Sequence, residues 1–155
     1  MKLLLASISP RKGRAKSDPA DALFREFLER CTRYTPTEGQ VFESEDRLLS
    51  AAERQQAGGS SLPAATVLLF DSRGDLLSSE QFAELLGRLR DSGTQRVLLG
   101  IGPADGWSRA ALARADRTIS FGRITLPHEL ARTILAEQTY RALTILAGHP
   151  YHSGH

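Results

Sequence analysis

Five short apolar runs alternate along this chain with stretches whose apolar positions recur at helical spacing. Leu3 to Ile8 is continuous in apolar character, as expected of a strand covered on both faces. Asp18-Pro19 marks a helix start, because Asp caps free amides and proline's missing N–H costs nothing in a first turn. Leu23, Phe24, Phe27, Leu28 and Cys31 then share one helical face, which makes Cys31 a buried apolar residue. A second strand is predicted over Gly39 to Phe42, a second helix over Glu43 to Glu53, and a polar loop over residues 55–61.

The third run, Ala65 to Phe70, ends at the turn Asp71-Ser72-Arg73-Gly74. Ser78 with Gln81 resembles a capping box, and Phe82, Leu85, Leu86 and Leu89 mark the buried stripe of the helix that it opens. Arg96 to Ile101 forms the next strand, Ser108 to Ala115 a short helix and Thr118 to Phe121 a short strand. From His128 to Ala147 the apolar positions Ala131, Ile134, Leu135, Ala142, Ile145 and Leu146 follow a helical repeat, with Leu130 and Leu143 off that stripe. A helix apolar on more than one side suggests a partner helix from a second subunit. Glycine at 148 ends it. Alternating strands and helices imply an α/β domain with a mainly parallel sheet and helices on both faces.

The 155 residues fit one domain, residues 1–155, large enough to need no staple. The single cysteine excludes an internal disulfide, no Cys/His pair has metal-ligand spacing, and no metal is expected. The first eight residues are too short for a signal-peptide core and no apolar run reaches membrane length, so the expected location is cytoplasmic with no membrane partner. A net charge of +2 is too weak to identify nucleic acid as a partner. Locally, Arg11, Lys12, Arg14 and Lys16 put four positive charges into six residues, which suits either a solvated loop or phosphate contacts.

Ligands of open α/β sheets collect outside the carboxyl ends of strands, where Phe70 and Asp71 fall. The turn Gly100-Ile101-Gly102-Pro103-Ala104-Asp105-Gly106 also follows a strand, so its backbone could approach a ligand. Its spacing is GxGxxxG, no acid follows the next strand to hold a ribose, and the Gly-Lys-Ser/Thr ending of a phosphate loop is missing. A tight structural turn and a ligand loop both fit it.

Ile101 to Gly106, Ile124-Thr125-Leu126-Pro127-His128, Ala131-Arg132, Glu137-Gln138, Tyr140-Arg141-Ala142 and Pro150-Tyr151-His152 together resemble the ribosomal large-subunit methyltransferase H family, SPOUT-class enzymes that methylate N3 of a pseudouridine in 23S rRNA. The likeness extends back through Phe70 to Gly74 and Ser79 to Glu84, and so over essentially the whole chain. It implies a C-terminal trefoil knot, S-adenosylmethionine as cofactor, a homodimer, and 23S rRNA in the assembled ribosome as substrate. Carried over by motif position, the cofactor residues are Phe70, Gly102 and Phe121, Gly122, Arg123, Ile124, Thr125 and Leu126. The catalytic pair is Tyr151, which would stack on or hydrogen-bond the base, and His152, whose imidazole suits removal of the N3 proton. Arg11, Lys12, Arg14 and Lys16 become the candidate RNA contacts. His128 either organises the helix start or lines the pocket.

Three positions depart from the family pattern. Phe70 replaces an aliphatic residue, Pro103 replaces the second glycine of Ile-Gly-Gly and removes a backbone donor, and Ser153 replaces an arginine. The alternative is therefore a knotted, dimeric RNA- or ribosome-binding protein that has lost methyl transfer. A generic nucleotide-binding α/β enzyme is disfavoured by the missing ribose acid.

Overall fold

A computed structural model describes residues 1–9, 18–57 and 60–152, with the backbone alone for 55–57, 60 and 152. Arg11, Lys12, Arg14, Lys16 and Ser153 lie outside the described residues. In chain order the elements are β1 (Lys2–Ile8), α1 (Pro19–Thr32), β2 (Thr37–Phe42), α2 (Glu45–Ala52), β3 (Gln55–Ala57), β4 (Ser60–Leu62), β5 (Thr66–Leu76), α3 (Ser79–Asp91), β6 (Arg96–Ile101), α4 (Arg109–Ala113), β7 (Arg117–Ser120), α5 (His128–Leu146) and a 3-10 turn at Pro150–His152.

Five strands make one sheet in the order β2-β1-β6-β5-β7, and every pairing is parallel. Alternation within the apolar runs assigns the two faces. Leu68 and Phe70 of β5 with Val97, Leu99 and Ile101 of β6 join Phe24 and Cys31 of α1, Phe82 and Leu86 of α3, and Leu135 and Tyr140 of α5. Val67, Leu69 and Leu98 turn the other way, to Leu48 and Leu49 of α2, Ala111 of α4 and Trp107. The alternating α/β reading therefore holds.

Local chemistry fixes the ends of the elements. The Asp18 side chain accepts from Ala20 N at 2.9 Å, capping α1. Ser78 and Gln81 form the full capping box of α3, through Gln81 N to Ser78 Oγ (3.2 Å) and Ser78 N to Gln81 Oε1 (2.8 Å). Gly148, at φ +66°, ends α5 in the left-handed region.

Two expectations are corrected. Within the stretch read as a polar loop, β3 and β4 pair antiparallel as a small hairpin, whose Gln and Ser residues carry no apolar alternation to announce it. In α5, Leu143 belongs to the core while Leu130 is exposed. The helix packs on α1 and α3 together, so its two-sided apolar character is largely met inside the chain. Buried Thr133, Thr139 and Thr144 join this packing by bonding their hydroxyls to backbone carbonyls, at Glu129, Leu135 and Arg141.

The route of the chain within β5 matters most for the site. Its pairing with β7 is interrupted, with Ile119 opposite both Phe70 and Asp75, so residues 71–74 bulge out. Gly74 lies so close to β7 that a Cβ there would stand 2.6 Å from backbone N and C of Ile119. Glycine is required at this position by contact, since only a residue without a side chain lets the bulge close over β7.

Candidate functional site

Because β6 and β7 flank β5, the carboxyl ends of β6 and β7, at Ile101 and Ser120, stand beside Phe70, where the bulge of β5 begins. That bulge and the loops after β6 and β7 line a cavity of about 690 Å³. Phe70, Asp71 and Ser72 wall it from β5, Gly102 to Trp107 from β6, and Phe121, Gly122, Ile124, Thr125 and Leu126 from β7. Pro127, His128 and Ala131 close it from the first turn of α5. The volume lies in the usual range for a small-molecule or cofactor pocket.

Seven of the eight residues expected at the cofactor thus line one cavity; the exception is Arg123, which is exposed and outside the lining. Phe70 and Phe121 stack at 4.7 Å between ring centroids, so the aromatic ring at position 70 packs against its neighbour in the wall. The turn after β6 is closed by Gly106 N to Pro103 O at 2.9 Å, with Gly106 at φ +87°. Pro103 therefore sits in the wall as a turn residue that contributes a carbonyl but no amide donor. Ser120, 5 % exposed, both accepts from Gly122 N and donates to Gly122 O at 3.0 Å, fixing the peptide from which the loop after β7 departs.

Trp107 is a wall residue to which sequence reasoning assigned no role, and Asp71 lines the cavity as its place beside Phe70 suggested. The indole, 4 % exposed, donates from Nε1 to Phe70 O at 3.0 Å. It packs on Gly102 so tightly that a Cβ there would meet Nε1 and Cε2 at 2.9 Å. The only tryptophan of the chain, one residue beyond a glycine turn, was the available signal. Hydrogen bonds from Arg73 hold the Asp71 carboxyl well below the usual carboxylate range, against the opposing effect of burial.

His128 does both things expected of it, opening α5 and lining the cavity. Its Nδ1 is 3.2 Å from Glu129 Oε1, and Glu129 Oε2 accepts from buried Arg132 at 3.0 Å. Arg132 also lies 4.3 Å above the Phe24 ring, so a buried cation is held by carboxylate and aromatic face together. The N-cap of α5 is Pro127, which offers no side-chain acceptor, so the first-turn amides keep their donor capacity at the cavity edge.

Tyr151, one of the expected catalytic pair, lies away from its own chain's cavity. Tyr151 packs edge-on against Tyr140 at 4.7 Å and donates to Glu137 Oε1 at 3.2 Å. Glu137 also accepts two bonds from Arg141, whose guanidinium lies 5.0 Å from the Tyr151 ring centroid. Burial, then the Glu137 carboxylate, pushes the Tyr151 phenol up, so it is a donor rather than a base. From Ala131 at the cavity to Tyr140 beneath Tyr151 is about 14 Å along the helix axis. Tyr151 is absent from the lining of its own chain's cavity. The side chain of His152 lies outside the described residues. Among the described residues no cluster could hold a metal ion, and no helix is long and apolar enough to cross a membrane.

Comparison with known proteins matches residues 1–152 to a family model described as a predicted SPOUT methyltransferase. The chain is 45 % identical over 143 residues to the ribosomal RNA large subunit methyltransferase H of Koribacter versatilis, covering 92 % of this chain and 94 % of that one. It is 43 % identical over 150 residues to the protein of the same name from Rhizobium meliloti, covering 90 % and 94 %. Among solved structures, the SpoU methyltransferase AviRb of Streptomyces viridochromogenes, crystallised with the cofactor AdoMet, superposes with a TM-score of 0.51 at 15 % identity, over 90 % of this chain and 57 % of that one. At that identity the superposition speaks for the fold alone.

Proposed function

This chain belongs to the SPOUT methyltransferase family, and we propose on that premise that it transfers a methyl group from S-adenosylmethionine to N3 of a pseudouridine in 23S rRNA of the assembled ribosome. The observation that carries the proposal is the meeting of the β5 bulge and the loops after β6 and β7 in one cavity of about 690 Å³. The residues fit the cofactor. Phe70, Phe121, Ile124 and Leu126 offer an apolar wall for adenine, Gly102 puts backbone into the wall with Trp107 packed where its side chain would be, and the uncapped start of α5 suits a carboxylate. When bound, S-adenosylmethionine supplies an electrophilic methyl on a sulfonium.

The chain's own task is to hold the acceptor in line with that methyl and to take the N3 proton as the new N–C bond forms. We assign the proton to His152 and positioning of the base to Tyr151. Since Tyr151 is held away from its own cavity by Glu137 and Tyr140, this assignment requires a homodimer in which each tail serves the partner's cavity. An apolar groove beside the cavity, about 280 Å³ and lined by Leu76, Ile124, Leu126 and Ile134 among others, supports such a surface. Ile124 is 72 % and Leu76 66 % exposed in the single chain. Arg11, Lys12, Arg14 and Lys16 are proposed phosphate contacts; reversing their charges should lower methyl transfer and leave cofactor affinity unchanged.

The test is methyl transfer to ribosomes from a strain lacking the endogenous enzyme, with wild type and His152→Ala compared. Transfer by the wild type and its loss in the variant supports the proposal; no transfer refutes it. A second reading, a ribosome-binding protein without turnover, rests on Pro103, whose missing amide stands in the cavity wall, and on Ser153, which lies outside the described residues. Calorimetry separates the two, since absence of S-adenosylmethionine binding by the wild type selects the second.

A further inference from the structure

The bulge within β5 carries an ion pair, a buried Asp71 carboxylate with a half-exposed Arg73 guanidinium, to which the reaction outlined above assigns no part. The Asp71 side chain is 5 % exposed and lines the cavity. Its Oδ1 accepts from Arg73 N at 3.0 Å and Arg73 Nε at 2.7 Å, and its Oδ2 accepts from Arg73 Nη2 at 2.9 Å. The same Nη2 donates to the backbone carbonyl of Trp107 at 3.0 Å. Trp107 in turn donates from its indole to the carbonyl of Phe70, the residue before Asp71. The contacts close a circuit from the bulge of β5 to the loop after β6 and back.

A guanidinium suits this place for a geometric reason. Its planar fork grips both carboxylate oxygens and still has a donor for the carbonyl, whereas an ammonium is a point charge without that fork. Removing it would leave the Asp71 carboxylate in the cavity wall without its counter-charge and without the two hydrogen bonds from the Arg73 side chain. Gly106, whose φ of +87° favours glycine, places the turn after β6 in ordinary contact range of Asp71.

We propose that Arg73 is a positioning residue for the cofactor, clamping Asp71 and the Trp107 carbonyl so that two walls of the cavity keep the spacing that S-adenosylmethionine requires. The proposal rests on the reading of the cavity as a cofactor site. Arg73 is absent from the cavity lining and acts through Phe70, Asp71 and Trp107.

The experiment titrates S-adenosylmethionine by calorimetry into the full-length wild type, Arg73→Met, Arg73→Lys and the double variant Asp71→Asn/Arg73→Met. Methyl transfer to ribosomes at saturating cofactor and thermal unfolding are measured alongside. Arg73→Met should weaken cofactor binding about tenfold or more, Arg73→Lys less, and kcat at saturation should stay within about twofold. The double variant should recover part of the affinity, because it removes the uncompensated carboxylate. A generally structural role would instead lower kcat, affinity and stability together, with no recovery in the double variant, and would overturn the proposal. Should Arg73→Met fail to fold, Arg73→Lys, which keeps the charge, decides it by the same split. Wild type that binds while Arg73→Met and Arg73→Lys bind equally well refutes the clamp alone. Wild type that does not bind refutes the cofactor reading and the clamp with it.

Discussion

Gly102→Ala is the smallest perturbation that reaches the cavity wall. The added methyl would meet the Trp107 indole at 2.9 Å from Nε1 and Cε2 and 3.0 Å from Cδ2, well inside ordinary contact distance. The indole has little room to yield. It is 4 % exposed, packed in the layer formed by α2, α4 and the sheet, and tied by Nε1 to Phe70 O at 3.0 Å. Overpacking a tight interior by one methyl costs about 1–3 kcal/mol. Loss of the buried indole bond adds about 1 kcal/mol. The expected destabilisation is thus about 2–4 kcal/mol, read from the urea midpoint with an unchanged slope. If the indole retreats, the Phe70 carbonyl moves with it, and S-adenosylmethionine affinity should fall by about tenfold or more, since misplacement of about 1 Å is enough for such losses. Gly102→Ala/Trp107→Phe should recover part of the packing loss by removing the clashing ring. A Gly102→Ala chain within about 0.5 kcal/mol of wild type, with full cofactor affinity, would refute the picture of a wall set by Trp107.

Gly74→Ala should destabilise by about 3 kcal/mol or more, because the new methyl meets backbone of Ile119 at 2.6 Å and no flexible side chain can yield; a thermal midpoint unchanged from wild type would contradict this. Asp71 has its folded-state pKa depressed, so its contribution to stability is fully present above the unfolded carboxylate value of about 3.9 and is lost as pH falls through the lower folded value. Asp71→Asn should therefore be less stable than wild type at neutral pH, and urea midpoints should converge in strong acid; a constant gap would count against the Arg73 pairing. Cys31 is fully buried and its thiol is pushed up to about 12, so thiol reagents at mildly alkaline pH should label the chain only after unfolding; rapid labelling of folded protein would contradict the burial.

Strand and helix positions were legible because the runs of β1, β5 and β6 are buried on both faces and because Asp18, Ser78 with Gln81, and Gly148 announce their termini chemically. The hairpin at β3 and β4 was not, since its polar residues carry no alternation for a sheet face to use. The apolar breadth of α5 pointed to a partner helix, yet α1 and α3 of the same chain cover much of it, leaving Leu130 and the groove at Ile124 and Ile134 as the open surface. The candidate site was legible through resemblance rather than pattern. Nothing local could show that a bulge closing over β7 sets Phe70 beside Leu126, or that Arg73 reaches across 34 positions to Trp107. Arg123, placed at the cofactor by its neighbours in sequence, is exposed and outside the lining to which Gly122 and Ile124 belong.

A crystal structure of the full chain grown with S-adenosylmethionine tests the central claim most directly. The account predicts the adenosine between Phe70, Gly102 and Leu126, the amino-acid end toward the start of α5, and Tyr151 of a second copy at the mouth of the cavity. Cofactor bound at another surface, or saturating cofactor with this cavity left open, would contradict it.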